Sequence, residues 1–102
     1  GLGFPPFSRI IRMLLRGKNA TKVIAAAQED SDKLAPRLPG QATLLGPAEC
    51  PLSVIAGNHR HQLLVKTSDF SAAHAALSSL RRSIKLQPGV YLEIDVDPVS
   101  LL

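Results

Sequence analysis

Residues 8–17 read Ser8-Arg9-Ile10-Ile11-Arg12-Met13-Leu14-Leu15-Arg16-Gly17, and whether they form a strand or a helix decides the fold. At a period of two, Ile11, Met13 and Leu15 fall on one face, and Ile10, Arg12, Leu14 and Arg16 on the other. A helix would be halted early by Gly17, so the stretch is read as strand one. Downstream, Asn19 is placed to cap a helix from Ala20 to about Leu34. Its Ala20, Val23, Ile24, Ala27 and Leu34 share a stripe, and Pro36 ends it. Gln41 to Leu45 reads as a short strand two. Gly46, Pro47, Pro51 and Gly57 then predict a long irregular connection rather than a tight hairpin.

Strand three is His59 to Lys66, with His59, His61, Leu63 and Val65 alternating against Arg60, Gln62, Leu64 and Lys66. Ser68 or Asp69 caps a second helix, in which Phe70, Ala73, Leu77, Leu80 and Ile84 recur at helical spacing. After the Gln87-Pro88-Gly89 turn, strand four runs from Val90 to Val96, and Pro98 closes it. The order β-α-β-β-α-β, with right-handed crossovers, predicts an α+β, ferredoxin-like fold. It comprises a four-stranded antiparallel sheet with both helices on one face and strand one between strands three and four.

Composition agrees with this plan. The chain has 102 residues, 45% apolar, 20% charged and 4% aromatic, with no Trp. That is enough for one core and too little for two. No apolar run approaches the roughly 18 residues that span a bilayer, so a membrane protein is not expected. Cys50 is the only cysteine, which excludes an internal disulfide and points to a reducing compartment, the cytoplasm. The expected boundaries are an extended lead-in over 1–7 (Pro5 and Pro6 oppose a helix), one domain over 8–98 and a tail over 99–102. A start at Gly-Leu-Gly instead of Met reads as a piece of something longer.

The helices must cover the more apolar face, so Ile11, Met13, Leu15, Leu63, Val65, Leu92, Ile94 and Val96 are expected inward. The uncovered face then collects Arg12, Arg16, Arg60, Gln62 and Lys66, with Glu93 and Asp95 on the neighbouring strand. Arg12 beside Glu93 or Asp95 makes a natural cross-strand pair. Twelve Lys and Arg oppose eight Asp and Glu, a net charge of +4. Residues 1–22 hold Arg9, Arg12, Arg16, Lys18 and Lys22 with no acid among them. The candidate phosphate contacts are therefore Arg9, Arg12, Arg16, Arg60 and Lys66, with Lys18 near one end of strand one. A charged face kept merely for solubility is the plainer reading of the same residues. Tyr91 is the only aromatic expected on that face, too few for base stacking of the RNA-recognition-motif kind.

Chemistry finds little footing. Gly17-Lys18 lacks the upstream Gly and the following hydroxyl of a phosphate loop. Cys50, His59 and His61 offer too few ligands for zinc, and partly buried histidines explain the pair better. No serine sits in a nucleophile elbow. Asp95 and Asp97 share a strand face, where pairing with arginines is the simpler role than holding a cation. No catalytic residue, metal or cofactor is assigned to this chain.

Three segments, in order, resemble the C-terminal domain of the PriA family, the bacterial replication-restart primosomal protein N′. They are Phe4-Pro5-Pro6-Phe7-Ser8; Leu45-Gly46-Pro47-Ala48 followed by His59-Arg60-His61-Gln62-Leu63-Leu64-Val65-Lys66; and Leu92-Glu93-Ile94-Asp95-Val96-Asp97-Pro98. The resemblance covers nearly the whole chain. It implies a parent protein that recognises abandoned forks and D-loops, reloads the replicative helicase, and in most members is an ATP-driven 3′-to-5′ helicase with a zinc module. ATP and zinc would belong to that parent, outside these residues. For this domain the resemblance implies binding to branched or single-stranded DNA, contact with the single-strand DNA-binding protein's tail, and partnership with primosome proteins. Phe70 and His74 stand where relatives carry Arg and Gln near that tail and are the candidate partner-binding residues. The family's aromatics flanking the strand-three Arg are His59 and His61 here, and its basic pair after the Gly-Pro passage is Val54 and Ile55. The expectation is a non-enzymatic DNA-binding and interaction domain. A protein-docking module without DNA contact is the alternative, and a small-ligand regulatory domain, for which no Gly-rich loop is present, is the third.

Overall fold

The computed structural model describes residues 8–102; the lead-in expected over 1–7 lies outside them. Strand β1 spans Arg9–Gly17, helix α1 Ala20–Leu34, β2 Thr43–Ile55, β3 Asn58–Thr67, α2 Phe70–Ser83 and β4 Val90–Val96. A 3₁₀ turn, Ala35–Arg37, follows α1 where Pro36 removes a backbone donor. The sheet order is β2-β3-β1-β4, all neighbours antiparallel. Strand one is central, as the order of elements predicted, and the fold is the ferredoxin-like α+β arrangement.

Each helix starts where its cap sits. The Asn19 side chain accepts from the Lys22 amide at 3.1 Å, and the Asp69 side chain accepts from the Ala72 amide at 3.1 Å. Of the two candidate caps for the second helix, Asp69 is the one used. Both helices lie on the face presented by Ile11, Met13, Leu15, Leu63 and Val65, all buried. Leu34 of α1 and Ala73, Ala76, Leu77 and Leu80 of α2 join Ile11, Met13, Leu63 and Val65 in one cluster. Val23 and Ala27 of α1 close over Leu15 and Val90 in a second. Leu92 and Ile94 pack against these clusters, half-buried. Val96 departs from expectation: it is on the inward face but 41% exposed, at the end of an edge strand where a groove opens beside α2.

The larger correction concerns β2. It does not end at Leu45 but runs on to Ile55 and returns to β3 through Ala56-Gly57. Both turn residues have positive φ, the geometry that tight hairpins require. The strand tolerates Pro47 and Pro51 because it lies at the sheet edge and slips register twice, between Leu45 and Ala48 and between Glu49 and Val54. Gly46 sits at the first slip with φ +95°, and a Cβ there would lie 2.7 Å from the Gln62 carbonyl oxygen. Cys50, expected in an irregular passage, is instead buried within β2.

At the other end of the sheet, Gly17 pairs with Val90 of β4 and His59 of β3. A Cβ on Gly17 would run into the Gly89 carbonyl oxygen. Backbone cannot yield as a side-chain tip does, so Gly17→Ala is expected to cost about 1–3 kcal/mol. A urea unfolding midpoint indistinguishable from that of the parent chain would contradict this close approach.

Candidate nucleic-acid interface

The face of the sheet away from the helices carries Ile10, Arg12, Leu14 and Arg16 from β1. Beside them lie Arg60, Gln62, Leu64 and Lys66 from β3, and Tyr91, Glu93 and Asp95 from β4. Register sets the neighbours: Arg16 is opposite Arg60 and Tyr91, Arg12 is opposite Leu64 and Asp95, and Ile10 is opposite Lys66. Arg16, Arg60 and Lys66 thus share one face, but six residues of β3 put Lys66 roughly 20 Å from Arg60.

Three of the predicted contact arginines are engaged with acids of β4 or the residue after it. Arg9 Nε donates to Asp97 Oδ2 at 2.9 Å, Arg12 Nη2 to Asp95 Oδ2 at 2.9 Å, and Arg16 Nε to Glu93 Oε1 at 3.0 Å. Of the two partners considered for Arg12, Asp95 is the one taken. The outer pairs are solvated and individually weak; what they fix is the register of β4 on β1. Asp97 does so from two sides. Its carboxylate accepts from the Ile10 amide at 3.1 Å, and its own amide donates to the Ile10 carbonyl at 2.7 Å. The Ile10 amide, then Arg9, hold this exposed carboxyl below its ordinary range. Its contribution is present above the usual Asp pKa and fades as pH falls through the lowered value.

The face is not uncovered along its whole length, which corrects the sequence reading of Arg12 and Arg60. Both are 8% exposed. Beyond Pro98 the chain crosses toward β3, and Arg60 Nη1 donates to the main-chain oxygens of Leu102 at 2.7 Å and Leu52 at 2.8 Å. Within residues 99–102, expected as a tail, the Leu102 main-chain oxygen therefore meets the sheet at Arg60, while Val99 stays exposed. Alternation reveals which face a residue occupies; it carries no information on whether a distant segment later covers that face.

The exposed cations gather elsewhere. Arg16 has a third of its side chain exposed, and its Cζ lies 4.8 Å from the centre of the Tyr91 ring, itself 53% exposed. Next to them a depression of about 300 Å³ is lined by Lys18, Asn19, Lys22, Asn58, Pro88, Gly89 and Tyr91. It lies at the start of α1, whose first turn holds no acid and includes Lys22. Helices ordinarily place acids there, since the N-terminal end of the peptide dipoles is positive. Two lysines at that end concentrate positive potential where an anion would relieve it. Lys22 and Tyr91, though noted in the sequence, were not among the candidate phosphate contacts. The available signal was the acid-free stretch through Lys22, combined with the Asn19 cap. Lys66, exposed, marks the opposite end of the face; Arg9, expected with it, instead alternates onto the helix side, beside Phe70 of α2.

The two candidate partner-binding residues are neighbours on α2. Phe70 and His74 have ring centroids 5.5 Å apart, and Arg9 Cζ stacks 3.9 Å over the Phe70 ring. His74 continues into a groove of about 260 Å³ lined by Ile11, Leu77, Ser78, Arg81, Ile94 and Val96. His59 and His61 are half-buried on β3. Among the described residues no three His, Cys, Asp or Glu side chains are grouped to hold a metal, and no helix is long and apolar enough to cross a membrane.

Comparison with known proteins decides the lineage. The family described as the primosomal protein N C-terminal domain matches residues 1–99. The chain belongs to this family. It is 38% identical over 101 residues to the replication restart protein PriA of Treponema pallidum, covering 99% of this chain and 15% of that protein. The PriA of Borreliella burgdorferi is 30% identical, with 99% of this chain and 15% of the relative covered. That of Synechocystis is 33% identical, with 98% and 12% covered. The chain thus spans only about a seventh of the length of these relatives. Among solved structures, the designed protein Foldit4 is similar at a TM-score of 0.59 and 13% identity, covering 92% of this chain and all of that one. That likeness concerns the fold alone. In this chain the primosomal domain has a basic β1–α1 end, and the three arginines of β1 are paired with acids.

Proposed function

We propose that this chain is the DNA-binding and interaction domain of a PriA-like replication restart protein. It helps recognise branched DNA, stalled forks and D-loops, for primosome assembly in the cytoplasm, and has no catalysis of its own. One observation carries the reading: Arg16, Lys18 and Lys22 converge with the exposed Tyr91 ring at the positive end of α1. Phosphates are the ligands that such an end receives best, and the contact would be independent of sequence. Lys66 extends it along the sheet, whereas Arg9 lies on the helix side beside Phe70 and Arg12 and Arg60 lie beneath the covered part of the face. Family membership supplies the context, since the relatives are named replication restart proteins. Helicase action, ATP and zinc would be properties of the longer protein.

A second reading is favoured by the outer edge of β2, where Leu45, Leu52, Val54 and Ile55 are each more than 40% exposed. An apolar sheet edge of this kind is a docking surface in the making. It would seat the domain against the body of the parent, with Phe70 and His74 turned toward the single-strand DNA-binding protein or another primosome protein. Titration of the chain with forked and single-stranded oligonucleotides at several salt concentrations separates the two. Salt-sensitive binding to forks is the expected result. Absence of binding at low salt would leave docking as the function.

A further inference from the structure

Arg12 is a buried cation with an incomplete set of acceptors. Its side chain is 9% exposed, Asp95 takes only Nη2, and Nε and Nη1 are occluded from solvent without a hydrogen-bond partner. Buried donors on a charged group are costly to leave unmade. Arg12 also lines a cavity of about 150 Å³ together with Arg60, Leu52, Ile55, Ser100 and Leu102. Two arginines therefore line one shallow depression, and one of them, Arg12, has two donors without acceptors.

The cover of that depression is slight. Among the described residues, the 98–102 segment is tied to the sheet by the hydrogen bond from Arg60 to the Leu102 main-chain oxygen. Its other polar contact, from the Leu102 amide to the Ser100 hydroxyl at 3.3 Å, is internal. Val99 is fully exposed. An oxyanion at this place would take over the acceptor role of Leu102 on Arg60 and supply the acceptors that Arg12 Nε and Nη1 lack.

We propose that Arg12 and Arg60 form a binding subsite for a phosphate-type oxyanion, and that residues 98–102 act as a strap which the anion displaces. As a subsite for a DNA backbone phosphate it rests on the DNA-binding reading above; as an oxyanion site it stands without it. The guanidinium fork suits a tetrahedral oxyanion better than an ammonium group would, since its donors lie in a fixed plane.

The test follows the arginine side-chain Nε–H resonances of the whole chain during titration with inorganic phosphate, then with a forked oligonucleotide. Saturable shifts at Arg12 and Arg60 are expected with phosphate. Deleting Leu101 and Leu102, which lie outside the core, is expected to tighten phosphate binding several-fold. Arg12→Lys should weaken binding, with unchanged amide spectra around Leu63 and Leu80 showing that the fold persists. Shifts at Arg12 and Arg60 with the fork as well identify the backbone phosphate as the source. Shifts with free phosphate alone identify a small oxyanion, and the subsite stands even if DNA binding fails altogether. Fork-induced shifts confined to Arg16 and the Lys18–Lys22 region, with none at Arg12 and Arg60 from either ligand, overturn the subsite and leave the DNA reading intact. An unchanged affinity on deleting Leu101 and Leu102 overturns the strap.

Discussion

Asp30→Asn is expected to stabilise the fold at pH 7 and to leave it nearly unchanged near pH 3.5. Asp30 is 2% exposed on α1, and its Oδ2 has no hydrogen-bond partner. Burial, reinforced by neighbouring Glu29 and only partly offset by Lys33, pushes its pKa from 3.8 to about 6. The sign follows from proton counting. Between these two values the folded chain holds a proton that the unfolded chain has released, so stability falls as pH rises through this window. Above pH 6 the fold carries the full cost of an ionised buried carboxylate, on the order of 3 kcal/mol for a gap of two pKa units. The amide removes the charge at equal size. Urea unfolding of both chains at the two pH values measures the effect. An equal difference at both, or a variant weaker at pH 7, would show that burial does not raise the Asp30 pKa.

The second large effect concerns binding. Replacing Arg16, Lys18 and Lys22 together by alanine is expected to flatten the salt dependence of fork binding. With a slope near −0.9 per phosphate neutralised, three lost contacts remove about 2.7 from the slope of log affinity against log salt. Between about 50 and 200 mM salt, the parent chain should lose about 40-fold more affinity than the variant does. Arg12 and Arg60 are left out deliberately. Both are buried, and truncating Arg60 would strip the Leu52 and Leu102 oxygens of their donor, confounding binding with folding. The three chosen side chains lie at the exposed end of β1 and the start of α1, remote from the Met13–Leu63 core. Parallel slopes for the two chains, with thermal unfolding unaltered, would remove this end of the molecule from the interface. An intact apolar β2 edge would then point to protein docking instead.

How much of this was legible beforehand varies with the range of the interaction involved. The alternation in Ile11, Met13 and Leu15 and that in Leu63 and Val65 is a local signal, and the caps Asn19 and Asp69 are local as well. Strands β1, β3 and β4 and both helices could be placed from them to within a residue or two. β2 could not, because its evidence as a strand is its partner. Gly46, Pro47 and Pro51 spell a loop by composition, and only pairing with β3 across two register slips makes Thr43–Ile55 continuous. The same division runs through the site. Sequence supplied the inventory of cations and the prospect of an Arg12 pair on β4. It could not say that Asp97 would close on Arg9 and Ile10, or that Lys22 would meet Tyr91 from opposite ends of the chain.

What the amino-acid order determined alone is the succession of elements, the face each strand turns to the helices, and the basic character of the first twenty-two residues. Those depend on side-chain period and on capping, which act within a few residues. The tertiary structure decided which cations remain available to a ligand. Arg12 and Arg60 sit on the outward face by alternation, yet lie buried where residue 102 returns to a strand that ends thirty-five residues earlier in the sequence, its main-chain oxygen accepting from the Arg60 guanidinium. Chain closure of that span has no local signature, since its favourable contact exists only after β1, β3 and β4 have assembled.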